Sequence, residues 1–247
     1  MTTPPTKHVA LITGSSQGLG LSIARLFARR GIGLVLTARR AEPLESARHE
    51  LSQLTRVLAL PGDVADEAHV TRLVSSARDT FGFIDVLINN ASELGPTPMP
   101  ELVELDPAEF SKILEVNLVA PLRLTQHVLP MMRARAEGLI VNITSDAGIQ
   151  AYPTWGGYGS SKAGLEHLSR VLAAEVEGSG VRVFVVDPGD MDTAMHRAAE
   201  PGVDLSHLAT PEVVAPAFVR LLDEPAQFAR FEAQQMLQAP AREVFSQ

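Results

Sequence analysis

Short, nearly continuous apolar runs alternate with segments of helical periodicity along most of this chain, and few folds accept that alternation. Residues 8–13, 32–38, 56–60, 84–88, 139–144 and 181–186 read as strands, several closed by turn residues such as Gly14, Pro61-Gly62 and Asn89-Asn90. Between them, residues 19–30, 42–54, 66–80, 107–136 and 157–177 repeat apolar positions at helical spacing, as at Leu19, Ile23, Leu26 and Phe27. Gly31 stands where a helix C-cap is expected. Residues 93–106 read as a loop, and a short helix is expected beyond about residue 211. The stretch after that helix gives no readable pattern. Strands that are apolar on both faces, alternating with helices, specify an α/β fold: a doubly wound parallel sheet flanked by helices on both faces.

Nothing interrupts the alternation with a linker, a repeat or a low-complexity run, so the 247 residues are expected to form one domain, 1–247, with a flexible tail at 1–6. A hydrophobic content of 45% with 20% charged residues removes disorder as the default. The net charge of −8 argues against a nucleic-acid surface. With no Cys there are no disulfides, no thiolate metal sites and no Cys nucleophile. The seven His show no paired metal spacing, so no metal is expected; His167 reads as a helix-face residue and His196 as a loop residue. No apolar run nears membrane-spanning length and the first residues lack a signal-type stretch, which sets the expectation of a soluble, cytoplasmic protein without a membrane partner.

In an open parallel sheet, ligands bind past the carboxyl ends of the strands. Residues 13–20, Thr-Gly-Ser-Ser-Gln-Gly-Leu-Gly, lie there, between the first strand and the first helix. Gly14, Gly18 and Gly20 allow a tight turn and close approach to a pyrophosphate, with Ser16, Gln17 and Leu19 alongside and the helix N-terminus facing the negative charge. The spacing is not that of the general dinucleotide fingerprint, and placement carries the reading. At the end of the second strand an acidic residue would hold the ribose of NAD. This chain has Thr37-Ala38-Arg39-Arg40 instead, and two guanidinium groups suit the 2′-phosphate of NADP. NAD is the less favoured cofactor. Asp63 is placed to accept from an adenine amino group; its plainer role is the N-cap of the next helix.

The stretch 143–162 supplies reactive groups. Ser145 follows the strand at 139–143, and Tyr158 and Lys162 stand four apart, on one face of a helix. A phenol there is a candidate general acid and base for reduction of a carbonyl or oxidation of an alcohol. A free phenol titrates at about 10. An ammonium one helical turn away stabilises the phenolate and is expected to lower that value. Ser145 would donate to the substrate oxygen. Asn117 lies mid-helix, and Pro121, four residues on, has no N–H to offer its carbonyl. Each residue alone has a plainer reading: an exposed helix pair, a loop cap, a solvated Asn.

Taken together, Thr13-Gly14…Gly18-Leu19-Gly20, Asp63, Asn89-Asn90-Ala91, Asn117, Ser145, Tyr158-x-x-x-Lys162 and Pro188-Gly189 with Thr193 resemble the classical short-chain dehydrogenase/reductase family, from about residue 7 to about 222. The resemblance implies a single Rossmann-type domain, a nicotinamide dinucleotide and a homotetramer or homodimer. It implies catalytic roles for Asn117, Ser145, Tyr158 and Lys162. It adds Val64, Asn90, Ala91, Pro188, Gly189 and Thr193 to the cofactor contacts, with Lys162 also holding the nicotinamide ribose and Asn117 a water. Two departures stand out. The family's Asn-Asn-Ala-Gly is here Asn89-Asn90-Ala91-Ser92, expected to shift the loop without touching a proton-transfer group. Residues 223–247, with Phe228, Phe231, Met236 and Phe245, replace the family's glycine-rich ending.

The substrate is expected to be a small carbonyl or alcohol, held by loops 92–100, 146–157 and 189–209. Leu94, Met99, Tyr152, Trp155, Met191 and Met195 suggest a partly apolar wall, with Asp190 beside it. The leading expectation is an NADP(H)-dependent oxidoreductase. The alternative from another class is a non-catalytic NADP(H)-sensing regulatory or scaffold protein on the same fold, since fold alone does not settle function.

Overall fold

The computed structural model describes residues 8–238. The expected tail at 1–6 and Phe245 lie outside them. In chain order the major elements are β1 (Val9–Thr13), α1 (Gly18–Arg29), β2 (Gly33–Thr37), α2 (Ala41–Leu51), β3 (Val57–Ala59), α3 (Glu67–Phe81) and β4 (Val86–Asn89). Then come α4 (Pro107–Leu114), α5 (Ala120–Arg135), β5 (Gly138–Ile143), α6 (Gly156–Glu175), β6 (Val181–Asp187) and α7 (Ala194–Ala199). The chain continues through α8 (Pro211–Val214), α9 (Pro216–Arg220), β7 (Phe228–Glu232) and α10 (Ala233–Gln238).

The strands form one parallel sheet in the order β3-β2-β1-β4-β5-β6-β7. Side-chain alternation divides each strand between two cores. Ala10, Ile12, Leu34, Leu36 and Ile88 pack with Ile23, Phe27 and Leu44 of α1 and α2 on one face. Val9, Leu11, Val35 and Leu87 pack with Leu73, Leu124 and Leu172 of α3, α5 and α6 on the other. Both faces are covered, which is why the strands read as unbroken apolar runs. Strand order reverses between β1 and β4, and a crevice opens there past the strand ends.

Three expectations change. Asp66, not Asp63, caps α3, its carboxylate accepting from Ala68 N at 2.9 Å. The helix expected over 107–136 is interrupted at Glu115–Val119 by a widened turn in which Ala120 N donates to Glu115 O, five residues back. Pro121, without an N–H, cannot sustain the regular ladder at this point. Residues 228–232, unreadable in sequence, form a seventh strand pairing with β6 from Val183↔Phe228 to Asp187↔Glu232. Arg230 and Glu232 hide it, because charged side chains break the apolar run of an edge strand.

Candidate active site

The crevice holds a cavity of about 1130 Å³, above the few hundred to about 1,000 Å³ of ordinary small-molecule pockets. Every residue expected to bind cofactor or to react lines it except Gly20 and Asn117. The glycines divide their work. A Cβ at Gly20 would meet Gly14 O at 2.5 Å, and one at Gly14 would meet Asn90 Nδ2 at 2.9 Å, so these two pack the turn against itself and against the β4 end. At Gly18, with φ +56°, a Cβ would meet nothing within 4 Å. No side chain caps α1, which leaves its first amides to an anion. Thr13 Oγ1 accepts from Asn90 N and Ala91 N, both at 2.9 Å, fixing the two loops across the switch point.

Arg39 and Arg40 reach the cleft from the end of β2. Arg40 donates to Gln17 Oε1. Arg39 crosses to Glu93, Nη1 to Oε2 at 3.2 Å. Asp63 lines the cleft and accepts from Ala65 N at 2.9 Å. A dinucleotide fits this surface: an open glycine, uncapped helix amides and two guanidinium groups.

On the facing wall α6 presents Tyr158 and Lys162. Lys162 is only 2% exposed. Its Nζ donates to Ile143 O at 2.9 Å and lies 5.3 Å from the Tyr158 ring centroid. Ser145 Oγ accepts from Ala147 N at 3.2 Å and donates to Asp146 Oδ1 at 2.9 Å. Tyr158 keeps part of its surface open to the cleft, yet burial is the main cause that pushes its phenol up to about 12. The Ser92 and Ser145 hydroxyls act in the opposite sense, and the charges of Asp187 and Asp146 add to burial. Burial likewise pulls the Lys162 ammonium down to about 8, against the charge of Asp187. The expected lowering of the phenol by Lys162 is therefore not what the site shows; the ammonium donates to a backbone carbonyl instead.

Asn117, 1% exposed, stands behind this wall. Its Oδ1 accepts from Glu93 N at 2.8 Å and Ser92 Oγ at 3.1 Å; its Nδ2 donates to Glu93 O at 2.8 Å and Ser161 Oγ at 2.9 Å. Ser161 Oγ in turn donates to Tyr158 O at 2.6 Å. Ser92 thus corrects the sequence expectation. Its hydroxyl bonds Asn117 and acts on the Tyr158 phenol, so the position does touch the reactive groups.

Trp155 packs edge-on against both Tyr152 and Tyr158, with centroids 6.5 and 5.8 Å apart. Tyr152 donates to Asp146 Oδ2 at 2.7 Å. Leu94, Met191, Met195 and Asp190 line the cleft; Met99 borders a separate small crevice. Loop 189–209 closes on itself where Met191 pairs with Ala209. His196 belongs to the cleft wall on α7 rather than to a loop, facing Asp190 and Glu200.

A half-buried ion network behind the site went unread in sequence. Arg230 of β7 donates to Glu166 Oε1 at 3.0 Å and Asp187 Oδ2 at 3.2 Å, and Thr144 Oγ1 donates to Glu166 Oε1 at 2.9 Å. Gln234 of α10 donates to Pro188 O at 3.2 Å and Asp190 O at 2.9 Å, holding the loop that carries Gly189. The one legible sign was Glu166, four residues past Lys162 on the same helix.

Fold and cleft together are those of a dinucleotide-binding α/β protein of Rossmann type. Within that class, the family model for short chain dehydrogenase matches residues 8–204, and the chain belongs to that family. It is 33% identical over 232 residues to cis-4-hydroxycyclohexanecarboxylate dehydrogenase of Sinomonas cyclohexanicum, covering 90% of this chain and 92% of the relative. It is 37% identical over 190 residues to 2-(R)-hydroxypropyl-CoM dehydrogenase of Xanthobacter autotrophicus, covering 76% of each. Among solved structures it is similar to an alcohol dehydrogenase from Thermococcus sibiricus complexed with 5-hydroxy-NADP, with a TM-score of 0.81, 33% identity and coverage of 91% of this chain and 95% of the other. The chain is accordingly an oxidoreductase acting between hydroxyl and carbonyl groups of small molecules. No helix among the described residues is long and apolar enough to cross a membrane.

Proposed function

We propose that this protein interconverts a ketone or aldehyde and the corresponding alcohol with NADP(H), using Tyr158 as general acid and base. The observation that carries the reading is one cleft lined both by Tyr158, Lys162 and Ser145 and by Arg39 and Arg40. The bound nicotinamide dinucleotide supplies the hydride in reduction and accepts it in oxidation. Gly14, Ser16, Gln17, Gly18 and Leu19 hold its pyrophosphate at the α1 N-terminus, with Gly20 packing the turn. Arg39 and Arg40 take the 2′-phosphate in charge-assisted bonds. Asp63 and Val64 flank the adenine, and Asn90, Ala91, Pro188, Gly189 and Thr193 frame the nicotinamide end.

In reduction Tyr158 gives its proton to the carbonyl oxygen as negative charge develops there. A phenol held neutral by burial is suited to that donation. Ser145 turns its proton from Asp146 to the same oxygen. Lys162, charged below about pH 8, stabilises the phenolate left behind and holds the ribose. Asn117 anchors the 92–93 loop, and its carbonyl, denied an i+4 donor by Pro121, receives a water that reloads the proton.

Loops 92–100, 146–157 and 189–209 frame the substrate. The Trp155 edge and Met191 favour a carbonyl on an apolar or ring-bearing frame, in keeping with the hydroxycyclohexane acid named for one relative. The family resemblance adds a homodimer or homotetramer to this proposal, and the cysteine-free composition a cytoplasmic setting. The test is a panel of cyclic and open-chain carbonyls with NADPH and NADH, followed by nicotinamide absorbance. Consumption of NADPH is expected, lost in Tyr158→Phe while NADPH affinity is kept. Tight NADPH binding without turnover of any carbonyl would support a sensor instead.

A further inference from the structure

Ser92 occupies the place where the family pattern has glycine, and its environment is that of a working hydroxyl. Its backbone is not in the left-handed region, so the position does not require glycine. The loop is fixed on either side: Asn90 N and Ala91 N donate to Thr13 Oγ1, and Glu93 bonds the Asn117 amide through both N–H and C=O. Held in that frame, Ser92 Oγ donates to Asn117 Oδ1 at 3.1 Å. A hydroxyl has one proton and two acceptor lone pairs. With its proton committed to Asn117, the oxygen keeps its lone pairs for another donor; Ser92 and Tyr158 line the same cleft, and the Ser92 hydroxyl is a hydrogen-bonding partner of the phenol.

We infer that Ser92 is a positioning residue for proton transfer: it accepts from the neutral Tyr158 phenol and, by rotating its proton away from Asn117, donates to the phenolate. Asn117 Oδ1 keeps its bond from Glu93 N when the proton leaves, so the switch strands no buried acceptor. Ser145 is then free to serve the substrate oxygen, while Ser92 serves the phenol. The charges that act on the phenol are Asp187 at the end of β6 and Asp146 after β5, and the Lys162 ammonium of α6 lies 5.3 Å from the ring centroid. Ser92 is the neutral partner on the β4 side. The hydroxyl partnership with the phenol favours ionisation. This inference rests on the proposed role of Tyr158, and its test separates the two.

The chain has two tyrosines, so Tyr152→Phe leaves Tyr158 as the sole phenol and its phenolate absorbance as a direct reporter. In that background, complexed with NADP⁺, Ser92→Ala and Ser92→Gly are expected to raise the phenolate midpoint by about 0.5–1 pH unit, the size of one hydrogen bond. Ser92→Thr, which keeps the hydroxyl, restores it. The alkaline shift should recur in the pH profile of kcat for alcohol oxidation, with KM and NADP⁺ affinity little changed. An unchanged midpoint and profile in both Ala and Gly variants would overturn the inference, whatever happens to the rate. A shifted midpoint in a protein that turns over no substrate would keep the inference and sink the proposed activity.

Discussion

At the scale of single residues, the proposed preference for NADP rests on Arg39 and Arg40. The Arg39 guanidinium ends in the cleft with a carboxylate already beside it, at Glu93. Arg39→Ala is expected to weaken NADPH by about tenfold or more, the loss of a charge-assisted bond. NADH should change by no more than about twofold, because it offers no phosphate at that point. Fluorescence titration of both cofactors decides, and equal losses would refute the phosphate role. Residues of this kind were legible because their chemistry is local: two arginines after a strand need no tertiary context to suggest an anion. Ser92 was not, because a hydroxyl gains a role only from neighbours, and its neighbours Asn117 and Tyr158 lie 25 and 66 positions away in the chain.

At the scale of elements, α6 places two strongly perturbed groups one turn apart, and they oppose each other in their effect on stability. Lys162 titrates near about 8 in the fold against an ordinary 10.5. Between those values the unfolded chain holds a proton that the fold does not, so stability rises with pH. Tyr158 titrates near about 12 against an ordinary 10.0. Between those values the fold holds the extra proton, and stability falls as pH rises. Ligand-free protein is therefore expected to gain stability from about pH 8 to about pH 10 through Lys162. Lys162→Met should lack that gain, which urea unfolding across the range would show. The interruption at Glu115–Val119 belongs to the same scale. Pro121 flagged it in the sequence, but a helical period still runs through the segment, so pattern alone made one helix of three pieces.

At the scale of the whole molecule, the sheet was legible through β6 because each strand is buried on both faces and announces itself as an apolar run. The last strand escaped notice because it trades apolar burial for ion pairs. Arg230 joins β7 to Glu166 of α6 and to Asp187 of β6, so the C-terminal segment is tied to the helix that bears Tyr158 and Lys162. Removing one partner of a half-buried pair leaves a stranded charge. Arg230→Ala is expected to cost about 3 kcal/mol in urea unfolding. Adding Glu166→Gln should recover a good part of it, since the stranded charge goes too. A loss unaffected by the second change would mean that Arg230 acts through packing of its stem. The loop at 188–190, clamped by Gln234, should loosen with β7, so the single variant is expected to raise KM as well.

The bridge between Arg39 and Glu93 gives cofactor entry the character of an exchange. On the proposed reading, a 2′-phosphate would take Arg39 from the Glu93 carboxylate, whose backbone Asn117 holds on both sides. The displaced carboxylate remains tethered, one residue from Ser92.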